Sequence, residues 1–324
     1  MDDVSGGVIA EASATSNGGK AGEVFYHHDG YEVVQPAPWC AKASASLMKP
    51  GRGNIRVRMD DLADGDEGEA QVSRAIRRAL QSVRLMARLD GVDLEVQVRK
   101  GFDDGSVIAR WSDPIRCAIR ATLNLFGDEI SDHALNQIAV SIGGPIDPDL
   151  DRYLLWDSQH AIELSDRFPI PACSMVIATP RGIAIDTPTV RAAAPGYTRW
   201  EQWCLGANRQ ELLGALRDAN RARIAALSTL SLQINQNYLP KPEFDPLFHS
   251  LPPDVGLIGA HSGTLIGAFG GPDNLGNLCA WFTGVLRGIS EVNRRSYDII
   301  SFVHDGNGSI SNARPRSLWI GGRE

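Results

Sequence analysis

Between Gln71 and Arg88 the apolar residues Val72, Ile76, Ala79, Leu80 and Val83 recur at helical spacing, while Arg74, Arg77, Arg78 and Arg84 fall largely elsewhere around the wheel. The pattern predicts an amphipathic helix with a solvated arginine face. Ile115 to Phe126 predicts a second helix, with Asp113 as N-cap, Pro114 in the first turn and Gly127 after the end. Ser131 to Ile142 predicts a third, with Leu135, Ile138, Ala139 and Ile142 on one face and Gly143 closing it. Arg209 to Arg217 and Ala222 to Gln236 also read as helical, and Phe282 to Val292 mixes helix and loop signals.

Strand signals lie between these helices. Gly22 to Val34 predicts a hairpin, with Glu23 to Tyr26, a turn at Asp29-Gly30, and Tyr31 to Val34. Further strands are predicted at Ser44 to Met48, Asn54 to Met59, Leu94 to Arg99, Tyr153 to Trp156, Ser174 to Thr179, Val255 to Ile258 and Tyr297 to Val303. Asp60 to Glu69 reads as an acidic loop. The first twenty residues, rich in Gly, Ala and Ser, are expected to fray at their start, and the polar tail after Asp305 to be loose. Strands and helices interleave without strict β-α-β alternation and without an internal repeat, which favours an α+β fold.

A chain of 324 residues has room for one large domain or two ordinary ones. Its net charge of −7 argues against a nucleic-acid partner. The five cysteines, Cys40, Cys117, Cys173, Cys204 and Cys279, form no C-x-x-C pair and fit reduced thiols better than disulfides or a zinc site. His27-His28 lacks further residues at ligand spacing and reads as a surface hairpin pair, so no metal site is expected. No apolar run is long enough to span a membrane, and Met1-Asp2-Asp3 lacks the features of a signal peptide. A cytoplasmic protein is expected.

The densest chemistry lies in Gly259-Ala260-His261-Ser262-Gly263-Thr264-Leu265-Ile266-Gly267, where small residues and hydroxyls follow an apolar run. Glycines there allow close backbone approach, and N–H groups with hydroxyls can hold an anion. This stretch resembles the C-terminal glycine-rich motif of the GHMP kinases. Within them the likeness is to the L-threonine kinase branch, which is associated with making the cobalamin side chain. Gly22-Glu23-Val24 followed by Asp29-Gly30 resembles the branch's N-terminal Gly-Glu-Leu hairpin, and Ile185-Asp186-Thr187 its central Val-Asp-Thr. Ser228-Thr229-Leu230-Ser231, Asn235-Gln236 and Leu239-Pro240-Lys241-Pro242 resemble its Thr-x-Ser, Asn-Gln and Leu-Pro-Lys-Pro segments in order. The likeness covers roughly residues 20 to 270.

The phosphate loop departs from the pattern. The family's loop reads approximately Pro-x-Gly-x-Gly-Met-x-Ser-Ser-Thr-Ala-Asp and runs into a helix whose N-terminus favours phosphate. Register from Ile115 to Thr122 places Arg110 and Trp111 at the paired serines, Val107 at a glycine, and Asp103 and Asp104 near the expected triphosphate. Two readings stand side by side. Arg110 could bind phosphate as a bidentate donor with Ser106 or Ser112 supplying a hydroxyl. Alternatively ATP binding was lost and Trp111 fills the emptied cleft.

The resemblance implies a two-domain GHMP-kinase fold. It divides the chain into a flexible N-terminus (1–20), a ribosomal-protein-like α+β domain that holds nucleotide (21–165), a ferredoxin-like α+β domain (166–310) and a loose tail (311–324). It implies ATP and Mg2+, with Gly105, Ser106, Arg110 and Ser112 at the phosphates. Asp147, in Gly143-Gly144-Pro145-Ile146-Asp147-Pro148, becomes the candidate to orient or deprotonate an acceptor hydroxyl, against the alternative of an Asx turn. Glu23, Asp186, Thr187, His261, Ser262, Gly263 and Thr264 become candidate acceptor contacts. Their alternatives are a turn with a local hydrogen bond for Asp186, and capping hydroxyls in a tight strand-to-helix turn for His261 to Thr264. Lys20 reads as an exposed loop lysine or a phosphate contact, and Gln236 and Lys241 read as structural. The implied activity is phosphorylation of a small metabolite, L-threonine or a related hydroxy amino acid. The alternative is a kinase-like protein that binds a metabolite or partner protein, or catalyses another reaction in the same cleft. The oligomeric state is not written in these motifs.

Overall fold

The computed structural model describes residues 7–27, 31–49, 51–60, 65–101, 112–141, 152–157, 160, 162–181, 196–260, 264–307 and 309–318. The chain divides into two compact units. The first comprises residues 1–19, 39–149 and 158–162, and the second residues 20–38, 150–157 and 163–324. Strands β1 (Gly7–Tyr26) and β2 (Tyr31–Lys49) each contribute residues to both.

In the first unit, β2 pairs antiparallel with β4 (Asp93–Gly101), and β3 (Ile55–Asp60) pairs parallel with β4. The parallel pair requires a crossover, supplied by helix α1 (Gly65–Ser82). The periodicity read from the sequence explains its burial. Val72, Ala75, Ile76, Ala79 and Leu80 are buried against Ala43, Ala45, Leu94, Val96 and Val98, and Arg74, Arg77, Arg78 and Arg84 are exposed. The helix begins well before Gln71, so the end of the expected acidic loop is helical.

Helix α2 (Ser112–Leu125) starts one residue before Asp113, and buries Ile115, Ala118, Ile119 and Leu123 in the same core. Helix α3 (Asp132–Ser141) is capped by Ser131, whose hydroxyl accepts the Ala134 N–H at 3.2 Å. Arg120 reaches Asp132 at 2.5 Å, and the buried Arg116 lies 3.5 Å from Asn136 Oδ1 and 3.8 Å from Asp132. These contacts run α2 and α3 antiparallel, which brings Ser112 and Ser141 to the same end of the unit.

In the second unit the strand order is β11 (Ile310–Leu318), β10 (Tyr297–His304), β7 (Cys173–Pro180), β9 (Ile266–Gly270) and β8 (Gly256–Gly259). All these pairs are antiparallel, and β8 pairs in turn with β1 at Glu23 opposite Gly259. Residues 31–34 of β2 pair with β5 (Leu154–Asp157), which pairs with the short β6 (Ile162–Glu163). Helices α4 (Arg199–Arg217) and α5 (Arg221–Asn235) form a helical hairpin, followed by the short α6 (Phe244–His249). Helix α7 (Leu275–Asn293) buries Leu278, Phe282, Leu286 and Ile289 against Val176, Ala178, Ile266 and Ala268.

Three expectations change. Residues 7 to 20, assigned to a flexible N-terminus, continue β1, and residues 310 to 318, expected to be loose, form an edge strand against β10. Helix α4 begins ten residues before Arg209, nucleated by a capping box between Thr198 and Glu201. No described helix is long and apolar enough to cross a membrane.

Helix α5 packs tightly on β8. A Cβ at Gly256 would sit 2.5 Å from Ala225 Cα and 2.9 Å from its carbonyl oxygen, both backbone atoms that cannot swing aside. Gly256→Ala is therefore expected to cost about 1–3 kcal/mol of stability through overpacking. A urea denaturation midpoint unchanged from wild type would show that the helix can retreat at no cost.

Candidate functional site

The last residues of β1 form one wall of a pocket that lies wholly within the second unit. Glu23, Tyr26, Ser231, Leu232, Asn235, Gln236, Leu239, Lys241, Gly259 and Ala260 line about 290 Å3 of empty space, part of it open to solvent. Gly22 has φ +142°, and a Cβ there would come within 3.3 Å of Leu265. The backbone just before Glu23 thus uses the freedom of glycine.

The floor is Gly259, the ladder partner of Glu23. A Cβ on it would meet Leu232 Cδ1 at 2.8 Å and Lys241 Cε at 3.0 Å. The bare strand therefore gives the Lys241 stem room to cross it. Helix α5 fixes that strand through hydroxyls. Ser228 donates to the Leu257 carbonyl, and Thr229 accepts the Leu257 N–H at 2.9 Å. The Ser-Thr-Leu-Ser segment thus serves to hold β8 in place.

One turn further, Ser231 and Asn235 bind the end of β1. Ser231 Oγ accepts the Tyr26 N–H at 3.2 Å, and Asn235 Nδ2 donates to the Tyr26 carbonyl at 3.3 Å. Asn235 Oδ1 accepts the Tyr197 hydroxyl. Gln236 closes the following loop: its Nε2 donates to the Leu232 carbonyl at 3.0 Å, and its Oε1 accepts the Lys241 N–H at 2.7 Å. Gln236 is structural, as read, although it also lines the pocket. Lys241 likewise stands in the pocket wall and is 8% exposed.

A carboxylate outside the pocket steadies this loop. Glu201 accepts hydrogen bonds from the Tyr238 hydroxyl, from the Thr198 hydroxyl at 2.7 Å and N–H at 2.8 Å, and from Asn237 at 3.0 Å. The Tyr238 hydroxyl first, and Thr198 after it, bring the Glu201 carboxyl down to about 2, while burial and then Glu201 push Tyr238 up to about 12. The Tyr197 ring lies edge-on to Tyr238 at 4.2 Å and tilted against His27 at 5.1 Å. His27 is thus half-buried among aromatic rings rather than a bare surface histidine.

Among the predicted residues, Glu23 is brought into the pocket. Thr264 lies half-buried in the loop between β8 and β9, where the Ala260 N–H donates to the Leu265 carbonyl at 2.9 Å. That loop joins two strands, which corrects the strand-to-helix turn. Ser112 is the first residue of α2. Gly105, Ser106, Arg110, Asp147, Asp186, Thr187, His261, Ser262 and Gly263 lie outside the described residues. Sequence reasoning missed Tyr26, Ser231, Asn235 and Lys241 as pocket residues, although three of them lie in segments that carry the likeness. Among the described residues, no three His, Cys, Asp or Glu side chains are grouped to hold a metal ion.

No protein-family model matches the sequence, and no curated protein matches it. Solved structures do match. The chain is similar to homoserine kinase from Cytophaga hutchinsonii, with a TM-score of 0.65 and 14% identity over 98% of this chain and 99% of that one. It is similar to L. major mevalonate kinase in complex with R-mevalonate, with a TM-score of 0.64 and 13% identity over 87% and 94% of the two chains. Mevalonate pyrophosphate decarboxylase from Streptococcus pyogenes also matches, with a TM-score of 0.60 and 12% identity over 96% and 100%. The fold is therefore the two-domain α+β fold of the GHMP kinases.

The depressed Glu201 carboxyl gives a test of the loop. Its folded value lies below the ordinary 4.5, so its contribution to stability is complete above about pH 4.5 and is lost as pH falls towards 2. Glu201→Gln is expected to lower the thermal midpoint by a few degrees at pH 6, with a deficit that shrinks as the pH drops to 3. A deficit independent of pH would show that the carboxylate charge is not what holds Tyr238 and Thr198.

Proposed function

We propose that the chain is an ATP- and Mg2+-dependent small-molecule kinase that phosphorylates the hydroxyl of L-threonine or a related hydroxy amino acid. The observation that supports this most directly is the pocket. Three segments that resemble the threonine-kinase branch, around Glu23, Asn235 to Lys241, and Gly259-Ala260, line a single cavity. Its mixture of charged, hydroxyl and amide groups suits a polar ligand.

In this reading Asp147 orients or deprotonates the acceptor hydroxyl, and Asp186, Thr187 and His261 to Thr264 contact the acceptor. Gly105, Ser106, Arg110 and Ser112 hold the nucleotide phosphates. The start of α2 offers backbone N–H groups to an anion there. ATP supplies the phosphoryl group and Mg2+ offsets its charge. The enzyme would be cytoplasmic, with neither nucleic acid nor membrane as partner.

A second reading is a kinase-like protein that binds a metabolite or partner, or catalyses another reaction in the same pocket. It is favoured by Arg110 and Trp111 at the serine positions and by Asp103 and Asp104 beside them. A decarboxylase among the proteins of this fold is consistent with it.

ADP release with ATP, Mg2+ and a panel of hydroxy amino acids separates the two. Turnover is expected with L-threonine or a relative. Asp147→Asn should lower kcat by about 100-fold or more, and Arg110→Ala should weaken nucleotide binding with kcat less affected. Calorimetry that detects no ATP binding, with or without L-threonine, would overturn the kinase reading in favour of the second.

A further inference from the structure

We propose that the outer face of helix α1 is a docking surface for a short acidic segment of a partner protein, with Arg74, Arg77 and Arg84 as the groups that receive its carboxylates. The surface lies wholly in the first unit and shares no residue with the pocket.

From Val72 to Leu89 the chain carries five arginines and no aspartate or glutamate, although the whole chain is acidic at −7. Arg74, Arg77 and Arg78 stand three and four residues apart, so they share one face of the helix, and Gln81 continues it. The opposite face, with Val72, Ala75, Ile76, Ala79 and Leu80, is buried in the core, so the arginine face cannot turn inward. Just past the end of the helix, the Arg84 N–H donates to the Gln81 carbonyl at 3.1 Å and the Leu85 N–H to the Leu80 carbonyl at 2.8 Å. This turn sets Arg84 at φ 59°, where glycine or asparagine is the usual choice, and buries Leu85, which anchors it. Arg78 and Arg88 have contacts of their own, Arg88 with the Phe126 carbonyl at 3.0 Å and with its ring. Arg74, Arg77 and Arg84 are exposed and form no ion pair with any described residue.

Like charges at this spacing repel one another, and an acidic partner relieves that repulsion. Guanidinium groups suit carboxylates because their paired N–H donors match the two oxygens. The extent of the face decides what kind of anion fits it. From Arg74 to the helix end at Ser82 is about 12 Å, the length of about two turns of an acidic helix or about four residues of extended chain. With this positive stretch set aside, the rest of the chain is more negative than the whole. A nucleic acid or an anionic bilayer spreads its charge over a far larger span and would meet that negative remainder. A short acidic segment covers the arginines alone.

The test is fluorescence anisotropy of a labelled decaglutamate peptide titrated with the full chain at about 0.15 M salt, where surface charges are screened as they are in a cell. Unlabelled decaglutamate, a DNA duplex of about 40 base pairs and phosphatidylserine vesicles serve as competitors. Wild type is expected to bind the peptide, and the triple variant Arg74→Gln, Arg77→Gln, Arg84→Gln to bind it about tenfold more weakly or worse. A control triple of exposed arginines elsewhere, Arg199→Gln, Arg217→Gln, Arg287→Gln, changes the net charge equally and should lose less than about twofold. Lysine at positions 74, 77 and 84 keeps the charge and should keep binding within about threefold, which separates loss of the surface from loss of the fold. No binding of decaglutamate by wild type, or an equal loss in the two glutamine triples, would overturn the inference. So would stronger displacement of the peptide by duplex or vesicles than by unlabelled decaglutamate at equal charge concentration.

Discussion

The close approach of helix α5 to strand β8 governs the second unit. Two glycines make it possible. At Gly256 the helix backbone occupies the space of a side chain, and at Gly259 Leu232 and Lys241 do. Hydroxyl bonds from Ser228 and Thr229 to both backbone groups of Leu257 then lock the strand along the helix. Asn235 and Ser231, on the same helix, are thereby fixed against the end of β1. A looser helix would let the two walls of the pocket drift apart, because α5 bonds to both β1 and β8.

How much of this was legible varies from element to element for identifiable reasons. Helix α1 was readable because its apolar stripe and arginine face separate cleanly at helical spacing. The β1–β2 hairpin was readable from Asp29-Gly30 between two apolar runs, but the outer halves of both strands were harder to see, since they are rich in small residues and lack strong alternation. Strand β11 was missed for a related reason. It carries Asn312, Arg314, Pro315 and Arg316, and as an edge strand it depends on β10 to supply a ladder rather than on its own apolar face. The start of α4 was hidden by Trp200 and Trp203, large apolar residues that remain exposed and stack on each other. In the pocket, Glu23 could be named from a short likeness. Lys241 was read as structural, because Gly259, which its stem crosses, comes to it only through tertiary contact.

The fold itself does not choose the reaction. Homoserine kinase, mevalonate kinase and mevalonate pyrophosphate decarboxylase all share it with this chain at 12–14% identity. Chemistry on such a scaffold is written in a handful of side chains. Here the described pocket residues belong to one unit and speak about what is held. The buried Arg116, one turn into α2, belongs to the other, where it lies against Asn136 and Asp132.

The sharing of β1 and β2 between the two units has a consequence for how the chain comes to life. The Tyr26 N–H finds its hydroxyl partner 205 residues later in the chain, at Ser231. During synthesis, the sequence of the first unit is complete long before the second can close. Val24 and Phe25, fully buried in the finished protein, must wait on the ribosome for β8 and α5 to emerge. In that interval the inner half of β1 is a sticky, unpaired edge.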